Sequence, residues 1–103
     1  MSGKRFHSGQ ALVGFAVPGE GEAGRVGVGV SRGIKSSVER NRARRRLREV
    51  ARRRFFGPDS PLQDVGIRYD VVLIARPAAL EVSFADLTAE ASLAALRLSR
   101  LNA

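Results

Sequence analysis

Between Arg40 and Arg54, nine of fifteen positions are arginine and the only acid is Glu49. A guanidinium is planar, permanently charged and able to grip two phosphate oxygens at once. Like charges at i, i+4 weaken an isolated helix by roughly 0.2–0.5 kcal/mol per pair. The segment holds four such pairs, Arg40/Arg44, Arg42/Arg46, Arg44/Arg48 and Arg48/Arg52. A sequence that keeps this repulsion regains it by binding phosphate, so the chemistry is recognition of a polyanion, with nucleic acid favoured over a merely solvated basic face. Asn41, set between Arg40 and Arg42, adds a side chain that both donates and accepts. Such a group suits a base, a ribose hydroxyl or a hydrated metal ion, although an Asn near a helix start can also serve only as a cap.

Catalytic chemistry has little to build on. The chain has no Cys, so there is no thiol nucleophile or thiolate metal site, and His7 is its single histidine. Glu20 and Glu22 lie in a glycine-rich turn with no partner base. Zinc-protease, phosphate-loop and Cys-x-x-Cys spacings are absent from the sequence. Phe6, Phe15, Tyr69 and Phe84 are available to stack on bases, each better suited to a core, and Phe55 and Phe56 are expected to pack at the end of the basic segment.

These side chains need a scaffold. Residues 11–17 are apolar and stopped by Pro18-Gly19, which predicts a first strand, and residues 25–30 alternate strictly, with Val26, Val28 and Val30 on one face and Gly27 and Gly29 on the other. Glycines there weaken a strand unless something approaches the backbone closely. The two segments are expected to pair as an antiparallel hairpin. Ser36 and Glu39 match a capping box, and residues 37–55 run without Gly or Pro up to Gly57-Pro58. Wound as a helix, this stretch puts Ala43, Leu47, Val50 and Ala51 on one stripe, and Asn41, Arg45, Arg48 and Arg52 on the opposite side. After a loop over 57–67, residues 69–75 read as a buried central strand ended by Arg76-Pro77. Ser83 and Asp86 open a final helix with Leu87, Ala91, Ala94, Leu98 and Leu101 on its apolar stripe. The order is β-β-α-β-α, an α+β sandwich of helices on a sheet, within a single domain over residues 1–103.

Composition agrees. The 103 residues are 44% hydrophobic, enough for one modest core. Lys and Arg number 18 against 10 Asp and Glu, and 14 of the 18 lie within residues 1–54. GC-rich codon usage favours Arg over Lys but does not cluster it. No run approaches the roughly 18 apolar residues of a membrane span, and residues 1–9 lack the apolar stretch of a secretory signal, so a cytosolic domain is expected.

Three segments together resemble the bacterial ribonuclease P protein family: Arg-Val-Gly-Val-Gly-Val-Ser at 25–31, Val-Glu-Arg-Asn-Arg-Ala-Arg-Arg-Arg-Leu-Arg-Glu at 38–49, and Tyr-Asp-Val-Val-Leu-Ile-Ala-Arg-Pro at 69–77. The Arg-Asn-Arg core with its trailing basic residues is the family signature. The resemblance implies a small two-layer α/β sandwich of the ribonuclease P protein type. It also implies a left-handed β-α-β crossover in place of the right-handed one that general handedness favours.

In function, the resemblance implies a non-catalytic subunit that joins ribonuclease P RNA and helps it remove the 5′ leader from precursor tRNA in the cytoplasm. The RNA would hold the catalytic magnesium, and no membrane or protein partner is implied. On this chain RNA binding falls to Arg40, Asn41, Arg42, Arg44, Arg45, Arg46, Arg48 and Arg52, with Asn41 a contact to hydrated magnesium. Phe15, Val13, Ser31 and Arg32 would line a cleft for the single-stranded leader.

Three departures stand out. The family's N-terminal helix, one wall of that cleft, is expected to be absent, Lys35 stands where Gly is common, and Ala43 is small for its site. The alternative is a general structured-RNA-binding module of ribosomal or architectural type with no part in tRNA processing. An independent nuclease would have to cleave with no RNA present, and no residue constellation invites that.

Overall fold

The computed structural model describes residues 3–17, 25–62 and 69–102. Their elements are β1 (Lys4–Ser8), β2 (Leu12–Val17), β3 (Val26–Val30), α1 (Ser37–Phe56), β4 (Asp70–Ala75), a 3-10 turn (Pro77–Leu80) and α2 (Phe84–Asn102). The glycine-rich turn with Glu20 and Glu22, and the loop over 63–68, lie outside the described residues.

The four strands form one sheet in the order β1-β2-β4-β3. β2 pairs antiparallel with β4, and β3 pairs parallel with β4 on its other side. The expected β2–β3 hairpin therefore does not form, because β4 lies between them. The reason is side-chain supply. β4 is apolar on both faces from Val71 to Ala75, so it gains most from a neighbour on each side, whereas β3 has glycine at every second position and is suited to an edge. The parallel β3–α1–β4 unit is the crossover to which the handedness expectation applies.

Leu12 and Ala16 of β2, with Val71, Leu73 and Ala75 of β4, share one face and are at most 1% exposed. Both helices cover that face with Leu47, Val50, Leu87 and Leu98, which are fully buried, as are Ala43, Ala91, Ala94 and Ala95. The stripes expected of both helices are thus the core, and burial of each large side chain is worth about 1.5–3 kcal/mol. Ser36 caps α1 by accepting from the Glu39 amide at 3.4 Å, and Ser83 caps α2 by accepting from Asp86 at 3.0 Å. Among the described residues, no helix is long and apolar enough to cross a membrane.

β1 was not expected from the sequence. Its residues show no alternation because a bulge between Arg5 and His7 breaks the register with β2. The bulge turns Phe6 over Gly14, where an added Cβ would meet the ring at 2.5 Å. His7, the single histidine, is 3% exposed. Its Nε2 lies 2.9 Å from Glu90 Oε2 and its Nδ1 2.9 Å from Arg97 Nη1. A guanidinium can only donate, so Nδ1 accepts there and Nε2 donates to the carboxylate. The Glu90 oxygens also accept from the Ala11 and Leu12 amides, each at 2.9 Å.

One carboxylate therefore ties α2 to β1 and to the start of β2. Glu90→Ala leaves two amides and a buried imidazole without their acceptor. It is expected to lower the unfolding free energy by about 2–4 kcal/mol, read from urea denaturation, with Glu90→Gln recovering part of the loss.

Candidate nucleic-acid interface

The angle of each arginine around α1 decides what it can do. Asn41, Arg42, Arg45, Arg48, Arg52 and Arg53 are exposed, whereas Arg40, Arg44, Arg46 and Arg54 are half-buried at the margin of the apolar seam. Arg40 donates to the Ile34 carbonyl at 3.0 Å, fixing the chain that enters the helix. Arg46 donates to the Val82 carbonyl at 2.6 Å, tying α1 to the approach to α2. Both are thus engaged structurally as well as being candidates for RNA binding. Arg44 donates to Asn41 Oδ1 at 3.0 Å, which orients the amide and leaves its NH2 group as the outward donor. Asn41, Arg44, Arg45 and Arg48 line a shallow concavity of about 260 Å³. This gathers four of the eight expected RNA-binding residues in one place. Three guanidiniums converging on one hollow are built to take phosphate.

Arg52 faces outward as expected but is not free. Glu49 accepts from Arg52 Nη2 at 2.7 Å and from Arg53 Nε at 3.1 Å. The hydrogen bond from Arg52, and then the charges of Arg52 and Arg53, hold the Glu49 carboxyl below the usual glutamate range. A lowered pKa means that this pairing stabilises the helix at neutral pH and is lost as pH falls through the folded-state value. Glu49 is thus a built-in competitor for two arginines.

The sheet face away from the helices is the second candidate surface. The register aligns Arg5, Phe15, Val72 and Gly27 in one row, and Ser8, Val13, Ile74 and Gly29 in the next. Phe15 is half-buried and Val13 is 8% exposed, so of these two Phe15 is the accessible side chain. A Cβ at Gly27 would meet nothing within 4 Å. The glycine leaves that end of the row open and the β3 backbone approachable.

Ser31 and Arg32 lie past the end of β3 rather than on the face. The Ser31 amide donates to the Ala75 carbonyl at 2.9 Å, which brings both residues beside the end of β4. Arg76 stands at the same end, donating to the Gly9 carbonyl at 2.7 Å and to Ser8 Oγ at 3.1 Å. In the sequence Arg76 reads only as a strand stop. Its basic charge directly after a central strand was the available signal. Of the other aromatics, Phe6 and Tyr69 pack on the core, and Phe84 is 39% exposed with Arg53 Cζ 5.6 Å from its ring centroid. Phe55 is buried as expected. Phe56 is not packed, being 53% exposed.

The family model for Ribonuclease P matches residues 1–99 of this chain. The ribonuclease P protein component of Dehalococcoides mccartyi is 40% identical over 81 residues, covering 77% of this chain and 58% of that protein. The chain thus spans little more than half the length of that curated relative. Among solved structures, the RNase P protein of Thermotoga maritima superimposes with a TM-score of 0.67 at 23% identity, covering 93% of this chain and 84% of that one. A Staphylococcus aureus RNase P protein mutant with defective mRNA degradation activity gives 0.63 at 20% identity, covering 86% and 69%. At such identities the two structures support the α+β fold.

The position of Glu49 generates a direct test. Glu49→Gln frees Arg52 and Arg53, so affinity for a structured RNA is expected to rise. The plot of log affinity against log salt should steepen by roughly 0.7–0.9 for each phosphate newly contacted. Filter binding across a salt series reads both. An unchanged slope would remove these two arginines from the interface.

Proposed function

This chain belongs to the ribonuclease P protein family, and on that premise we propose that it is the protein subunit of ribonuclease P, binding the catalytic RNA with the outward face of α1 and the 5′ leader of precursor tRNA on the open face of the sheet. The observation that carries the reading is the hollow formed by Asn41, Arg44, Arg45 and Arg48, on a helix whose Arg-Asn-Arg start is the family signature. Arg45 and Arg48 grip phosphates of folded RNA, Arg42 flanks them, and the Asn41 NH2 group donates to a base edge or ribose oxygen. The bacterial cytoplasm, where tRNA precursors are made, is the proposed compartment.

The division of labour is inferred from the family resemblance. Hydrolysis of the leader phosphodiester is assigned to the RNA, together with the magnesium ions that activate water there. The Asn41 carbonyl already accepts from Arg44. That neighbouring guanidinium disfavours a hydrated divalent cation on the Asn41 oxygen, so the residue works better as a donor to RNA. The protein contributes charge neutralisation and orientation, holding substrate and RNA in one frame. For the leader, Phe15 offers a ring on which a base can stack, and Gly27 leaves the adjacent backbone unscreened. Arg32, Ser31 and Arg76, gathered at the end of the sheet, supply polar contacts where a strand of nucleic acid would leave it.

The test is cleavage of precursor tRNA by a bacterial ribonuclease P RNA at low magnesium. Stimulation is expected only when RNA and this chain are both present. The double variant Arg45→Glu/Arg48→Glu should lower stimulation at least about tenfold and flatten the salt slope by roughly 0.7–0.9 per lost phosphate. Phe15→Ala should leave RNA binding intact and narrow the preference for precursor over mature tRNA. Tight RNA binding with no stimulation would favour the architectural alternative instead.

A further inference from the structure

Phe56 occupies the same outward sector of α1 as Arg45 and Arg52, at the end of the cationic stripe. The core already has its aromatic there, since Phe55 is 2% exposed, so a second ring one residue on serves no packing need. Phe56 closes a groove of about 310 Å³ with Arg48, Arg52, Val26, Gly27 and Val28. Arg48 lines both this groove and the Asn41 hollow, which makes the two surfaces continuous.

The other wall is the free edge of the sheet. Among the described residues, β3 is an outer strand, paired with β4 alone. Its Arg25 carbonyl accepts from Val71, and its Ser31 amide donates to Ala75. Peptide groups alternate along a strand, so odd-numbered residues of β3 face β4, whereas Val26 and Val28 turn N–H and C=O toward the edge. Among the described residues these backbone groups have no partner. An aromatic face, two guanidiniums and adjacent donor–acceptor pairs form one pocket. They are what an unpaired nucleotide requires: a stacking platform, a phosphate contact and hydrogen bonds to a base edge.

We propose that this groove binds a single unpaired nucleotide of the RNA partner, its base stacked on Phe56 and hydrogen-bonded to the β3 edge, its phosphate held by Arg48. The inference rests on the RNA-binding reading above and extends that surface beyond the signature motif. A protein strand adding to the same edge would also use the backbone groups. The charge at the groove mouth and its continuity with the arginine face favour the polyanion.

The probe is an unstructured hexaribonucleotide carrying one 2-aminopurine, titrated with the full chain at low salt. Binding is expected to quench the fluorescence. Phe56→Ala should abolish the quench and weaken binding about tenfold with little change in salt slope, because the stacking contribution is not ionic. Phe56→Trp should restore both. Since Phe56 is exposed, thermal unfolding midpoints of these variants should stay close to the parent. If Phe56→Ala binds and quenches as the parent does while Arg45→Glu weakens binding, the nucleotide pocket is overturned and the RNA-binding face stands. If both variants bind as the parent, both readings fall. Sedimentation showing a dimer of the free chain that Phe56→Ala dissociates would assign the groove to self-association and overturn the proposal.

Discussion

The apolar seam of α1 is what the rest of the molecule depends on. Nine guanidiniums within fifteen residues repel one another, and four i, i+4 pairs oppose the helix by of order 1–2 kcal/mol in total. Against this, Leu47 and Val50 are fully buried and Phe55 is 2% exposed, and three such side chains contribute of order 5–9 kcal/mol. Burial wins by several-fold. The basic helix therefore does not wait for RNA to fold it, and its outward face is presented as a rigid surface. Glu49 lessens the repulsion locally, while Arg40 and Arg46 anchor to backbone carbonyls and so help fix the helix against the loop before it and the approach to α2.

That seam packs on a sheet whose layout follows from β4. Apolar on both faces and lying between β2 and β3, β4 sets those two strands apart. Two consequences matter for binding. One face of the sheet is left without a helix among the described residues, so Phe15 and Gly27 lie in one accessible row. The outer edge of β3 comes to lie beside the second half of α1, which joins strand backbone to arginine side chains. On the opposite flank, the Glu90 carboxylate holds β1 through His7 and caps the start of β2, so the sheet is tied to α2 at the end away from the groove.

Much of this was legible in the chain. Period and caps gave both helices to within a residue or two, and an unbroken apolar run gave β4. Facing residues on α1 followed from spacing alone, because a helix carries its own angular ruler. Pairing partners did not follow, since a strand's sequence says which face is apolar but not which neighbour lies alongside. The β2–β3 hairpin was the local solution, and the long-range β4 pairing displaced it. β1 escaped because its bulge erased alternation, and its ties to α2, such as His7 to Glu90, span 83 positions or more. The exposure of Phe56 was equally hidden. Adjacent residues on a helix differ by about 100°, and where the seam ends is decided by the sheet beneath it.

The arginines show why composition alone would misjudge the interface. Counting charges suggests nine equivalent phosphate contacts, yet the helix sorts them by angle. Arg40 and Arg46 stand at the seam's margin and are engaged by main-chain oxygens. Arg52 and Arg53 share a carboxylate. Arg42, Arg45 and Arg48 project outward, with Arg44 oriented by Asn41. A polyanion meets a narrow set of forks at the Asn41 end and weaker, contested charge beside Phe56. Electrostatic attraction is then strongest over the signature motif and gives way to stacking and backbone hydrogen bonds at the β3 edge. Recognition graded in this way along one rigid helix favours a folded RNA carrying an exposed nucleotide over a uniform duplex, whose stacked bases offer nothing to a ring or to a strand edge.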